Sequence, residues 1–510
     1  MLARAHAFTI DGLRTRHVNV EVDVRPGLPA FAIVGLADTA VREARERIHA
    51  AIRNSGYEFP NRRITANLAP GGFPKAGPGL DLALACAVLA ASGQIPAVGL
   101  EDTALFGELG LDGSIRASQG TLAVAGATRR AALEKLILAG TRVHEAQLIP
   151  GLHVAVAESL TGAVRVLSGG EPDPTPSRAS RLRARSCERP SLMDLSEVSG
   201  QHNAVRALVI SAAGGHNCLF SGPPGTGKTM LAQRMPSILP PLSRNEALEV
   251  AQLHSAAGEP IEALSSVRPF RAPHHSITAA GLIGGAQRGW VGEAALAHRG
   301  VLFLDELSEF ARPTLEALRQ PLEDGRVSIV RARHSAVYPT RFMLLAATNP
   351  CPCGHAGDGD RCSCSEAELA RHRRRLSGPL LDRLDLLVDL HRETTSEGRL
   401  GSLESSEQAR RRVLDARERQ RSRLRAHGIG LNAEMDAGAL REHVRLDGRG
   451  EAMVSRARQR GLLSARGESR LLRVARTIAD LDGVDRVRTR DIGAALALRP
   501  YATDTERSVA

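Results

Sequence analysis

Three short apolar runs and one long one frame this chain. Cys218-Leu219-Phe220, Val301-Leu302-Phe303-Leu304 and Phe342-Met343-Leu344-Leu345-Ala346-Ala347 are continuous and end in Gly or polar residues, the pattern of strands buried on both faces of a parallel sheet. Residues 80–91 form the most apolar stretch, but they include Asp81 and are too short to cross a bilayer. Nearby, β-rich runs at 18–24, 31–34, 64–68 and 154–156 mix with helical patterns at 38–54, 80–92 and 118–133, which predicts an α+β domain over residues 1–168. Residues 169–190 bring Pro, Ser, Gly and Arg together without apolar periodicity, as a linker does. The buried-strand runs place an α/β core at 191–393. A charged helix at 404–425 and short helical patterns over 432–499 predict a helical domain at 394–510. The fold class is therefore multidomain α/β, without an evident internal repeat.

A chain of 510 residues with 43% apolar residues supports about two to four domains with ample cores. Residues 1–9 lack the continuous apolar segment of a secretory signal. A soluble, cytoplasmic protein with no membrane partner is expected. The 67 basic residues include only three lysines, Lys75, Lys135 and Lys228, which reads as codon bias. The net charge of +11 favours polyanions weakly.

One of those lysines sits in Gly222-Pro223-Pro224-Gly225-Thr226-Gly227-Lys228-Thr229, a complete phosphate-binding loop between an apolar run and the start of a helix at Met230. Such a loop turns successive backbone N–H groups toward a phosphate at the positive end of the helix. Lys228 then reaches the β- and γ-phosphates of ATP, and the Thr229 hydroxyl ligates Mg²⁺. The run 301–304 ends in Asp305 and Glu306: Asp305 suits the Mg²⁺ shell, and Glu306 suits the base that polarises the attacking water. The run 342–347 leads to Asn349, placed to orient that water, although Asn also ends strands through turn chemistry.

Together these features resemble an AAA+ ATPase and, more closely, the magnesium-chelatase-like ComM/YifB family. The stretches VGLADTAVREARERI at 34–48, NLAPGGFPKAG at 67–77, RPFRAPHHSIT at 268–278 and NPCPCGH at 349–355 carry that resemblance over nearly the whole chain. It implies a Lon-protease-like N-terminal domain, a P-loop AAA+ core of the magnesium-chelatase type, and a helical C-terminal domain. It also implies a homo-oligomeric, hexameric ring that moves branched or single-stranded DNA during recombination. Residues 377–385, SGPLLDRLD, resemble the segment that presents an arginine finger, so Arg383 would contact the neighbour's γ-phosphate. The competing reading is an ion pair of Arg383 with Asp382 or Asp385. Residues 467–477 resemble the second sensor helix. Arg470 is the first choice for its phosphate contact, and Arg473 lies on nearly the same face.

The Lon resemblance stops short of catalysis. Residues 74–79, PKAGPG, are similar to the Lon stretch that carries the serine nucleophile, but Gly79 stands at that position; Leu122 stands where the lysine would be. A Ser-Lys dyad has no hydroxyl and no amine here. Cys351, Cys353, Cys362 and Cys364 form C-x-C-x8-C-x-C directly after Asn349. A structural Zn²⁺ held by four thiolates would satisfy all of them, with His355 as a competing ligand. Free thiols are the alternative, and disulfides come last in a reducing cytosol.

Two insertions are candidates for substrate contact. Residues 268–290 include Arg271, His274, His275 and Trp290, and a metal reading of the two histidines lacks matching ligands. Residues 323–338 alternate as a β-hairpin, with Arg326, Arg331 and Arg333 available to DNA phosphates or simply to solvent. Three functions compete: a DNA motor, the motor subunit of a metal chelatase, and a MoxR-like remodelling ATPase. Aromatics at 3% offer little for base stacking, so DNA rests on the resemblance.

Overall fold

The structure, a computed structural model, describes residues 1–11, 14–75, 77–175, 193–285, 290–331, 334–356, 361–375, 378–391 and 404–499. The N-terminal sheet is built from β1 (Leu2–Asp11), β2 (Arg14–Arg25), β3 (Ala30–Val34), β4 (Arg63–Ala69), β5 (Thr103–Phe106), β8 (Lys135–Leu138) and β9 (His153–Val156), and a ribbon of β6 (Glu108–Leu109) and β7 (Ile115–Arg116) stands beside it. Its seven strands run in the order β3-β4-β2-β1-β5-β8-β9. β2 shows the pleat plainly, with Val18, Val20, Val22 and Val24 buried between polar neighbours. Both sheet faces are covered: Leu105 enters the core under the helices Thr39–Asn54 and Asp81–Ala91, while Ala104 and Phe106 enter the opposite core under Thr121–Arg130.

Asp81–Ala91 is buried all round, which explains why its sequence lacks a polar face. Asp81 is tolerated there because Arg47 binds it at 2.8 Å, although burial still pushes the carboxyl up to about 6. Residues 169–175, expected within the linker, remain tied to this unit. The Asp173 N–H donates to Val156 O at 2.9 Å, and its carboxylate accepts from the Glu158 N–H at 2.8 Å. The remainder of the expected linker lies outside the described residues.

The second sheet holds β10 (Cys218–Ser221), β11 (Phe270–Arg271), β14 (Val301–Leu304), β17 (Met343–Thr348) and β18 (Leu386–Asp389). All five strands are parallel, in the order β11-β14-β17-β10-β18. Between them lie two antiparallel ribbons, β12 (Gly284–Gly285) with β13 (Trp290–Val291), and β15 (Arg326–Arg331) with β16 (His334–Pro339).

Five α-helices follow β18 among the described residues: Ser406–Leu424, Ala437–His443, Gly448–Gln459, Ala465–Leu481 and Thr489–Ala497. Their apolar faces join one side of the second sheet in a continuous core. Ser406–Leu424 is charged overall but buries Ala409, Val413, Ala416 and Leu424 along one side. Its Arg417 and Gln420 donate to the carbonyls of Ala212 and Ala213, end groups of the helix His202–Gly214 that its own backbone leaves open. No helix among the described residues is long and apolar enough to cross a membrane. The chain is thus a multidomain α/β protein with a parallel nucleotide-type sheet and a helical C-terminal region.

Asp480 anchors that helical region. It is buried, and it accepts from Arg423 at 2.6 and 2.8 Å, from Arg476 at 3.0 Å and from Asn432 at 2.8 Å. Asp480→Ala leaves the buried Arg476 charge without its carboxylate, although two backbone carbonyls still accept from it, and should cost about 3–5 kcal/mol of stability. Equilibrium urea unfolding checks this, and a change below about 1 kcal/mol would contradict the role.

Candidate functional site

The site lies where the parallel strands end. β10 pairs with β17 so that Ser221 faces Thr348, and β14 pairs with β17 so that Leu304 faces Ala346. The residues that follow those ends, the 222–229 loop, Asp305-Glu306 and Asn349, therefore meet at one edge of the sheet. Gly225 and Gly227 take φ of 80° and 85°, left-handed values that suit glycine, and let the loop fold back onto the helix Lys228–Gln233. Gly222 is needed for a different reason. A Cβ there would lie 2.5 Å from Leu390 O, so the loop could not pass the end of β18.

Lys228 arches over the loop. Its ammonium donates to Gly222 O at 2.6 Å, Pro223 O at 2.9 Å and Asn349 Oδ1 at 3.2 Å. Burial pulls its pKa below the usual lysine value, against the pull of Asp305 and Glu306. The Thr229 hydroxyl donates to Asp305 Oδ2 at 2.7 Å, which sets two oxygen ligands side by side. A hydroxyl and a carboxylate with room for waters and phosphate oxygens fit Mg²⁺, a hard octahedral cation. The Thr226 hydroxyl donates to Pro223 O at 2.9 Å and closes the loop internally.

Glu306 has φ 51°, an uncommon conformation for a residue with a Cβ, and its N–H donates to Asp305 Oδ1 at 2.9 Å. Its carboxylate is engaged: His275 Nδ1 lies 3.2 Å from Oε2. The His274 ring packs on His275 with centroids 4.0 Å apart. The paired histidines thus serve the proposed base, a role that a search for metal partners in the sequence does not find. The available signal was position: residues 274–275 follow β11, the edge strand beside β14. Two arginines near them are committed to structure. Arg268 is buried and donates to Pro240 O and Arg299 O at 2.7 Å each, and Arg271 binds Glu293 through two hydrogen bonds of 2.7 and 2.9 Å.

The remaining candidate residues lie away from this edge: Asn217 and Asp385, which contact Arg383 and Arg470, precede β10 and β18 and so stand at the opposite ends of those strands. Arg383 pairs with Glu323 of its own chain, and its carbonyl accepts from Asn217 Nδ2 at 3.0 Å. Arg470 Nε lies 4.0 Å from Asp385, and the same carboxylate acts on Arg473. Arg326 is exposed at the base of the β15–β16 hairpin. Arg331 ends β15 opposite His334, and Arg333 lies outside the described residues. Gly79 is buried against the Phe106 ring, and Leu122 is fully buried. Lys75 is buried too, with its ammonium donating to Pro70 O and lying over the Phe73 ring.

The four cysteines converge. Sulfur separations are 3.3 Å for Cys351–Cys353, 3.9 Å for Cys351–Cys362 and 3.7 Å for Cys353–Cys362, and Cys364 lies within 4.8 Å of all three. Zn–S bonds of about 2.3 Å in a tetrahedron require edges of about 3.8 Å. The set therefore fits a tetrahedral thiophilic cation. The His355 N–H and neighbouring donors hold the Cys353 thiol down to about 6, in the range where it binds metal as thiolate.

Three substitutions test the edge. Lys228→Ala should abolish detectable binding of a fluorescent ATP analogue. Glu306→Gln should retain binding and lose about 10²–10⁴-fold in turnover. His275→Ala frees Glu306 Oε2 and should raise basal turnover roughly five-fold at unchanged affinity, the worth of one hydrogen bond of about 1 kcal/mol. Steady-state phosphate release read beside a binding titration separates the three, and a fall in turnover for His275→Ala would reverse the role given to that contact.

Comparison with known proteins agrees with this geometry. Three family models match: magnesium chelatase subunit ChlI over residues 194–398, subunit ChlI of Mg-chelatase over 20–142, and the ChlI C-terminal model over 403–499. An uncharacterized protein of Mycobacterium tuberculosis is 42% identical over 501 residues, covering 98% of each chain. The uncharacterized protein YifB of Escherichia coli is 41% identical over 507 residues, 98% of this chain and 97% of that one. Competence protein ComM of Haemophilus influenzae is 38% identical over 493 residues, 96% of this chain and 95% of that one. With a phosphate-binding edge of this design and relatives alike over nearly their whole lengths, the chain belongs to the magnesium-chelatase-like ATPase family that includes YifB and ComM.

Proposed function

We propose that this protein is a cytoplasmic ATP-driven ring motor that acts on DNA. The observation that carries the hydrolytic part is the meeting of Lys228, Thr229–Asp305, Glu306 and Asn349 at one sheet edge. In the proposed reaction the loop N–H groups and Lys228 hold the β- and γ-phosphates, and Thr229 and Asp305 hold Mg²⁺. When bound, that ion neutralises charge on the phosphates. Glu306 accepts the proton of the water that attacks the γ-phosphorus, while the bond to the ADP oxygen breaks. Asn349 orients that water, and Arg470, the proposed second sensor, has to leave Asp385 at the other end of the strands to reach the phosphates.

Arg383 completes the site of a neighbouring subunit. This requires it to exchange Glu323 for the neighbour's γ-phosphate, so the reading commits to a homo-oligomer, and a hexameric ring is the proposed form. DNA as substrate is supported by the likeness to competence protein ComM and by the exposed Arg326 at the base of the hairpin. The N-terminal unit, Lon-like with Gly79 and Leu122 in place of the dyad, serves assembly or substrate contact. Zn²⁺ at Cys351, Cys353, Cys362 and Cys364 is the proposed structural ion. The family models carry the chelatase name, which keeps a chelatase motor as the rival.

Two experiments decide. In the first, Arg383→Ala and Glu306→Gln proteins, each inactive alone, regain turnover when mixed, because composite sites pair an intact finger with an intact base. No recovery in mixed oligomers would remove the trans role. In the second, branched DNA stimulates turnover, and replacing Arg331 and Arg333 together with Ala weakens DNA binding irrespective of sequence and flattens its salt dependence by up to about two units. Stimulation by porphyrin without any by DNA would favour the chelatase motor.

A further inference from the structure

We infer that the four-cysteine loop is part of the nucleotide site, so that a bound thiophilic divalent cation controls how well the protein holds and hydrolyses ATP. This rests on the zinc reading above and adds a coupling that the reading does not contain. Two contacts on the page make the connection.

The first contact runs through Asn349. Its side-chain oxygen accepts from Lys228, while its carbonyl oxygen accepts from His372 Nε2 at 3.0 Å. His372 is buried and belongs to the helix Glu366–Arg375, which starts just after Cys364. Asn349 is therefore held from the far side of the cysteine loop while its amide serves the phosphate loop. Cys351, the buried ligand, is only two residues beyond it.

The second contact is direct. Gly354, just after Cys353, has φ 84°, and a Cβ on it would lie 2.6 Å from Pro224 Cδ and 2.8 Å from Pro224 Cγ. The backbone of the cysteine loop thus lies on the phosphate-binding loop with no space for a methyl group. One face of the loop positions Asn349, and another backs Pro224.

What holds the loop in that shape is the sulfur cluster. Between Cys351 and Cys364 only a single 3₁₀ residue, Arg361, breaks the irregular backbone of the described residues. In so short a segment, metal–thiolate energy is the energy that orders the chain. Release of the cation removes the bonds that hold the four sulfurs together, and the two supports of the nucleotide site loosen together. Misplacing groups that hold a reacting phosphate by about 1 Å costs about 10²-fold in rate.

The test uses the full-length protein purified without chelators, with zinc content, affinity for a fluorescent ATP analogue, turnover and thermal unfolding measured in parallel. We expect about one zinc per chain. Its removal by a thiol-compatible chelator should weaken nucleotide affinity at least about ten-fold, and added zinc should restore it while Mg²⁺ is held constant. Gly354→Val keeps all four thiolates; it should retain zinc, with the unfolding transition lowered only by the strain of a side chain at φ 84°, yet lose nucleotide affinity to a similar degree. His372→Ala should keep zinc and affinity but lower turnover through Asn349. Zinc bound and released with unchanged affinity, or Gly354→Val with wild-type affinity, would overturn the coupling and leave a plain structural zinc. Absence of zinc from the purified protein, together with no uptake of added zinc, would overturn the metal reading and the coupling with it.

Discussion

The in-register parallel pairing of β10, β17 and β14 is the constraint on which everything else at the nucleotide site depends. Side chains alternate across these strands: Phe220, Phe303 and Leu345 face the core shared with the C-terminal helices, and Leu219, Leu302 and Leu344 face the other. A slip of one residue would exchange the two sets and drive aromatic rings into a layer built for leucines. The packing that fixes the register also fixes which residues stand just past the strand ends. Asp305 and Asn349 thus reach Thr229 and Lys228 because the core accepts only one alignment.

A second consequence follows at the start of β10. Asn217 accepts from the Leu344 N–H at 2.8 Å, donates to Arg383 O at 3.0 Å, and its N–H donates to Asp385 at 3.1 Å. Asp385 is buried. Burial acts to raise its pKa, but the contact with His216 at 3.4 Å and the charge of Arg470 hold it below the usual carboxylate range. The other nitrogen of His216 lies 2.8 Å from the Thr477 hydroxyl on the helix Ala465–Leu481. The backbone at Arg383 and the helix that carries Arg470 therefore share one buried polar anchor. A shift of either one disturbs a buried carboxylate that depends on these partners.

Legibility in the sequence followed signal strength. The 222–229 loop and the runs that end beside it carried residues whose chemistry has few other uses, and the structure gathers them. The alternation in β2 and the apolar run of Asp81–Ala91 were visible because each needs a large buried area. β1 was not, because it presents Ala3, Ala5 and Ala7 to its core, and alanine gives almost no periodic contrast. β5 and β8 were not read from the sequence either, although β9, of the same length, was. The His275–Glu306 contact and the Arg383–Glu323 pair join residues brought together only by the fold. Pattern along the chain contains neither. Arg271 misled for the same reason: in sequence it is a free cation, and in the structure Glu293 and Glu259 surround it.

The N-terminal unit is attached through the stretch that leads to β11 and, beyond it, to His275 beside Glu306. Glu145, almost wholly buried, accepts from Ser255 Oγ at 2.5 Å and from the Ile261 N–H at 3.4 Å, while its partner Arg142 donates to Gly258 O at 2.7 Å. Around these bonds Ala251, Leu248, Ile261 and Leu264 enter the core beneath the N-terminal sheet. Glu259, in the same short stretch, lies 3.5 Å from Arg271, and four residues past Arg271 is His275, on Glu306. Burial pushes the Glu145 carboxyl upward, so its bonds hold only while Ser255 and Arg142 stay in place to stabilise the charge. A force that moves the N-terminal unit must break those bonds or drag residues 255–261 with it. Glu259 and Arg271 connect that stretch to the segment that carries His275, which lies on Glu306.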